Sequence, residues 1–228
     1  MQISRNLYCV PGVIANVFVV VDPDGLTLVD TGLPYSQRRI LGYLAHLGYT
    51  PSAVRRILVT HADRDHMGSV AALRAATGAR VFAGRLEGEA MARGRQTRYL
   101  ELRGWMRWTF RLLSRFLFAK ARPAAPDEYL QDGQTLPVLG GLQALDTPGH
   151  TPGHVSFYAP QAGVLFAGDS LRSLGGRLRV SSGVNTADEA LARASARRQL
   201  ALRPRLICTG HGPVIEAGPA VPVGGLSL

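Results

Sequence analysis

The stretch Thr60-His61-Ala62-Asp63-Arg64-Asp65-His66-Met67-Gly68 lies between a short apolar run and an apolar-periodic one, and packs four imidazoles or carboxylates into six positions. Burying such groups unpaired costs several kcal/mol each, so a fold that gathers them at a strand end needs a compensating partner, and a divalent cation is the obvious one. Three later segments share that context. Asp146-Thr147-Pro148-Gly149-His150, Ala167-Gly168-Asp169-Ser170 and Thr209-Gly210-His211-Gly212 each follow a strand-like run and set one ligand-type side chain just past its end. If these ends converge on one rim, His61, Asp63, Asp65, His66, His150, Asp169 and His211 can share two cations, and the neighbouring glycines let the backbone come close.

The rest of the pattern supplies the strands. Residues 16–22 and 26–30 are Val-rich runs joined by Asp22-Pro23-Asp24-Gly25, which reads as a hairpin. Ile40, Leu41, Leu44 and Leu47 recur at helical spacing until Gly48. A buried strand over 56–60, a helix over 70–77 closed by Gly78 and a strand over 80–83 follow. Residues 135–138, 142–146, 155–159 and 164–167 read as a strand meander. Thr186-Ala187-Asp188-Glu189 has the capping-box pattern, predicting a helix to about residue 202 before Pro204, then a last strand over 206–209.

With 228 residues and no dividing linker, one domain spanning 1–228 is expected. Its 46% apolar and 18% charged residues exclude intrinsic disorder. The apolar run over 10–21 is broken by Pro11, Gly12 and Asn16, so it does not span a membrane, and Asp22 and Asp24 stand where an export signal would need small residues. Cys9 and Cys208 cannot build a disulfide framework, and a cytoplasmic location is expected. The net charge of +10 is concentrated: residues 93–122 hold nine basic side chains against the single acid Glu101. There Arg107, Arg111 and Arg115 form a narrow stripe, while Trp105, Trp108, Phe110, Phe116 and Phe118 share the remaining circumference with aliphatic residues. This reads as a basic, aromatic-rich helical insert over about 86–126. Packing on the domain, homodimer formation, a lid over an apolar substrate pocket and contact with a membrane surface remain open for it. Nucleic acid is not the expected partner.

The spaced donors resemble the metallo-β-lactamase superfamily, whose signature is His-x-His-x-Asp-His followed by a separate His, an Asp and a final His. The resemblance covers nearly the whole chain and implies an α/β fold, a four-layer αβ/βα sandwich with a binuclear site on one edge. By position it implies that His61, Asp63 and His150 hold one metal, that Asp65, His66 and His211 hold the other, and that Asp169 bridges them. It further implies that Asp65 orients a metal-bridging hydroxide. Asp30, which ends its strand beside Thr31, is expected to support the site. His46 and His154 are expected to be structural. Ser170 and Arg172 follow the bridging Asp and are read equally as turn or solvent residues and as substrate contacts.

One position departs from the signature: Asp63 stands where a His is usual. An anionic oxygen replaces a neutral nitrogen, which keeps zinc first but moves the preference toward iron or manganese and acidifies bound water less. The resemblance leans to the glyoxalase II-like and lactonase-like branches, implying hydrolysis of a small ester, lactone or thioester, and the apolar, arginine-bearing insert suits an acyl-bearing substrate with an anionic group. A phosphodiesterase or RNA-processing nuclease, or an iron-dependent redox enzyme on the same scaffold, are the alternatives.

Overall fold

The computed structural model describes residues 1–97 and 121–217 and the backbone of 223–224. The basic stretch with Trp105, Arg107 and its neighbours therefore lies outside the described residues, as does most of the expected insert. The N-terminal half builds a seven-stranded sheet in sequential order: β1 (Gln2–Ser4), β2 (Leu7–Cys9), β3 (Phe18–Asp22), β4 (Gly25–Val29), β5 (Val54–Val59), β6 (Arg80–Gly84) and β7 (Glu128–Leu130). The first four strands are antiparallel, and β4 to β7 run parallel because helices return the chain between them. Those helices are α1 (Gln37–His46), α2 (Arg64–Met67), α3 (Val70–Thr77) and α4 (Arg85–Ala92).

A second sheet of six strands has the spatial order β15-β14-β11-β10-β9-β8, from β8 (Thr135–Leu136), β9 (Leu142–Asp146), β10 (Val155–Ala159), β11 (Val164–Gly168), β14 (Leu206–Thr209) and β15 (Ile215–Glu216). A small third sheet joins β12 (Leu171–Leu174), β13 (Arg177–Val180) and β16 (Val223–Gly224). Helix α5 (Glu189–Ala201) precedes β14.

Period-two alternation assembles the layers. Phe18, Val20 and Leu58 face Phe157, Phe166 and Cys208 across the two large sheets, whereas Val19, Ile57 and Val59 turn the other way onto Ile40, Leu44, Val70 and Leu73 of the helices. On the far side, Leu165, Ala167 and Ile207 meet Ala192 and Ala196 of α5. The order is helix, sheet, sheet, helix, the expected four-layer sandwich. Among the described residues no helix is long and apolar enough to cross a membrane.

The start of α5 corrects one expectation. The cap is Asp188, whose Oδ1 accepts the Leu191 N–H at 2.9 Å, while the Thr186 hydroxyl bonds Ser181 at 2.8 Å. A carboxylate two residues later takes the capping role because Thr186 is used to hold a residue beneath the site described next.

Candidate metal centre

Every donor singled out in the sequence lies where strands end on one rim. His61 and Asp63 follow β5, Asp65 and His66 lie in α2, His150 follows β9, Asp169 follows β11 and His211 follows β14. Asp63 Oδ2 stands 3.3 Å from His150 Nε2 and 3.7 Å from His61 Nε2. Asp65 Oδ2 stands 3.2 Å from His211 Nε2 and 4.0 Å from His66 Nε2. Asp169 lies between the two groups, with Oδ1 3.4 Å from His66 Nε2 and Oδ2 3.6 and 3.5 Å from His150 and His211 Nε2. A tetrahedral ion with ligands at about 2.0–2.1 Å sets its donors about 3.3 Å apart, so most of these gaps have the length that an ion spans.

The outer nitrogens of the imidazoles are already engaged. The Thr60 hydroxyl donates to Asp30, leaving its oxygen to accept from His61 Nδ1 at 2.9 Å. His66 Nδ1 donates to Asp30 Oδ2 at 2.8 Å, and His150 Nδ1 meets Ser181 Oγ at 3.0 Å. Each of the three therefore presents Nε2 inward, the arrangement by which outer partners fix a ligating tautomer. Among the described residues, His61 Nε2, His66 Nε2 and Asp169 Oδ1 are buried without a hydrogen-bond partner. Orphaned polar atoms converging on one space fit a cation better than any neutral filling.

Electrostatics point the same way. Burial disfavours a charged His66, but the carboxylates of Asp30 and Asp169 outweigh it and raise its pKa well above the usual value. Burial likewise opposes ionisation of Asp169, yet His66, His150 and His61 hold its pKa well below the ordinary range. His150 is pushed down to about 4, chiefly by burial. Asp65 falls to about 2 although burial opposes it, because the His211 hydrogen bond and the charges of His66 and His61 prevail. Asp65 and Asp169 thus stay ionised while His150 stays neutral, the protonation states in which such groups ligate a cation.

Asp30 supports the site as expected, and further supports had no clear local signal. Asp30, with φ 60°, turns its carboxylate back to accept the Thr60 N–H at 2.9 Å. His154, fully buried and held neutral by burial and by His61, accepts the Asp169 N–H on Nε2 at 3.2 Å. It thus orients Asp169 from beneath. Asn16, noted in the sequence only for interrupting an apolar run, donates to the carbonyls of Thr209 and Gly212 and pins the His211 loop. A side chain at Gly210 would collide with Asp169 Oδ1 and come within 2.7 Å of His66 Cε1, so glycine there is a condition of the site. Ser170 is buried, bonding Gln199 and the Ala167 carbonyl, and has no path to a substrate. Arg172 reaches Asp169 Oδ2 at 2.8 Å. His46 lies on the outer face of α1 against Tyr43.

A cavity of about 300 Å³ opens over these groups, lined by Asp63, Asp65, Asp169, Arg172, Asn185 and His211. The family model described as the metallo-β-lactamase superfamily matches residues 10–211. The chain belongs to the metallo-β-lactamase superfamily. It is 28% identical over 217 residues to the uncharacterized protein YobT of Bacillus subtilis, covering 89% of this chain and 84% of that one. It is 30% identical over 204 residues to the probable metallo-hydrolase YqgX of the same organism, covering 87% and 85%. A hydroxyacylglutathione hydrolase of Pseudomonas entomophila is 36% identical over 140 residues, which is 59% of this chain and only 41% of that enzyme. A metallo-β-lactamase family protein of Thermus thermophilus superposes with a TM-score of 0.70 at 28% identity, covering 94% of this chain and 76% of that one. As a member of this superfamily the chain has the hydrolase fold and His/Asp clusters able to hold metal ions.

Proposed function

We propose that this protein is a metal-dependent hydrolase of a small ester, lactone or thioester that carries an anionic group. The observation that carries the reading is the convergence of His61, Asp63 and His150 beside Asp65, His66 and His211, with Asp169 in reach of both. Two divalent cations, zinc first, would be held there and would supply the Lewis acidity that acidifies water and polarises an acyl oxygen. Asp65, part-exposed at the mouth and held ionised by the His211 hydrogen bond and the charges of His66 and His61, orients the attacking water and its proton. The buried imidazoles and Asp63 hold the geometry of the inner half. Similarity to hydroxyacylglutathione hydrolases supports an acyl substrate.

The β12–β13 hairpin sets positive charge beside the cavity. Arg172 and Arg179 are direct cross-strand partners, and Arg177 shares their outward face. Like charges placed opposite one another on neighbouring strands repel. Arg172 is already ion-paired with Asp169, so Arg179 and Arg177 are the side chains that a carboxylate or phosphate on the substrate would meet, with its acyl carbon over Asp65.

Metal analysis of protein purified without added metals, followed by a panel of lactones, thioesters and phosphodiesters, tests the reading. About two divalent ions per chain and chelator-sensitive ester or thioester cleavage are expected. A chain that binds no metal, or that cleaves only phosphodiesters, overturns it.

A further inference from the structure

A carboxylate at position 63 has a freedom that an imidazole lacks. Its two oxygens permit either one-atom or two-atom coordination unless something separates them. The structure separates them. Asp63 Oδ2 faces His150 and His61, whereas Oδ1 accepts the side-chain amide of Gln96 at 3.1 Å. The next residue, Thr97, donates its hydroxyl to Glu87 at 2.9 and 2.8 Å from the two carboxylate oxygens. Glu87 is fully buried, and it also accepts the Ala62 N–H at 2.7 Å and the Gly153 N–H at 3.0 Å. Ala62 sits between two inner donors, His61 and Asp63, and Gly153 follows the third, His150. A single carboxylate therefore ties together both loops that carry the inner set. The turn that brings residues 96–97 onto it is set by Gly94, at φ 62°, and by the Arg95 N–H returning to the Ala90 carbonyl at 2.9 Å.

We propose that Gln96 is a positioning residue that holds Asp63 as a one-oxygen ligand of the inner site, on a frame built by Glu87 and Thr97. The inference rests on the metal-centre reading above and extends it to residues 94–97, which meet the donor set at Asp63. It also bears on how this chain accommodates an Asp where the family signature has a His: the neutral amide engages the oxygen turned away from His61 and His150. Outer partners of ligating groups typically change metal affinity by about 10–100-fold, and Gln96 is expected to fall in that range.

Cobalt(II) titration of the full chain against a competing chelator, read by visible absorption, tests it. Gln96→Leu should weaken the inner ion by about 10–100-fold. The same variant should dim the cobalt bands as loss of the amide lets Asp63 take a two-oxygen mode and raises the coordination number, with the outer ion unchanged. Gln96→Glu, close in shape but repelling Asp63, should do the same and serves if the leucine variant does not fold. In an Asp63→His background Gln96→Leu should alter neither affinity nor spectrum, because the imidazole has no second oxygen to restrain. Unchanged binding and spectrum in Gln96→Leu, or equal losses in both backgrounds, would overturn the proposal while leaving the metal centre intact. Failure of the unaltered protein to bind cobalt takes both readings down.

Discussion

The two donor sets share a wall but are built to different plans. In the inner set His61, Asp63 and His150 are all buried, and each has its outward atom held by a neighbour: Thr60, Gln96 and Ser181. In the outer set only His66 is buried, while Asp65 and His211 each leave 29% of the side chain exposed at the mouth. A framed, buried set suits retention of an ion, and an open set suits exchange with water and substrate. The largest effect should come from breaking what the sets share. Gly210→Ala drives a methyl group into Asp169 and against His66. It should give a folded chain that retains neither ion and has background activity, checked by metal analysis beside circular dichroism. Retention of both ions would mean that the wall yields more than its contacts imply.

The next effect separates the sets. Asp65→Asn removes the charge and the proton acceptor from the mouth but leaves the inner donors untouched. Hydrolysis should fall by about 10²–10⁴-fold in kcat while one ion stays bound. Chelator titration of the unaltered protein should correspondingly show the outer ion leaving first. If the buried ion leaves first, burial and framing do not govern retention here.

The contrast between the sets also separates what was legible in the sequence from what was not. The donors were legible because imidazoles and carboxylates at strand ends have few other uses, and the regular strands were legible because Val, Leu and Ile alternate within them. Helix Val70–Thr77 and strands Leu142–Asp146 and Val155–Ala159 fall where the pattern set them. The frame was not legible. Glu87 sits in a helix rich in charge, and its partners are backbone N–H groups of Ala62 and Gly153, distant in sequence and unmarked by residue type. His154 looked structural because its role is to receive one N–H, that of Asp169. Strands β1 and β2, at three residues each, are too short to show a period, and the β12–β13 hairpin hid behind its exposed arginines.

A smaller effect bears on charge within the inner set. Asp63→His removes a negative group close to the shared space, so water there should ionise more readily. The pH at which hydrolysis reaches half its plateau should move down. A pH-rate profile checks this, and an unmoved rising limb would show that the inner carboxylate does not set the acidity of the nucleophile.

The smallest effect acts through the scaffold and should reach one set only. Asp188 caps α5, and the backbone on either side of that cap holds the His150 loop: Asp188 N–H bonds the Gly149 carbonyl at 2.9 Å, and Ala187 N–H bonds that of His150 at 3.2 Å. No comparable bond from this turn reaches Asp65, His66 or His211 among the described residues. Asp188→Ala loses a cap worth about 1 kcal/mol, which for a chain of this size lowers Tm by about 2–4 °C. Because the slackened turn carries His150, the chelator midpoint of the inner ion should shift slightly while that of the outer ion stays fixed. A shift of the outer midpoint alone would reverse the assignment of which set depends on the frame, since it would mean that helix α5 steadies the mouth rather than the buried half.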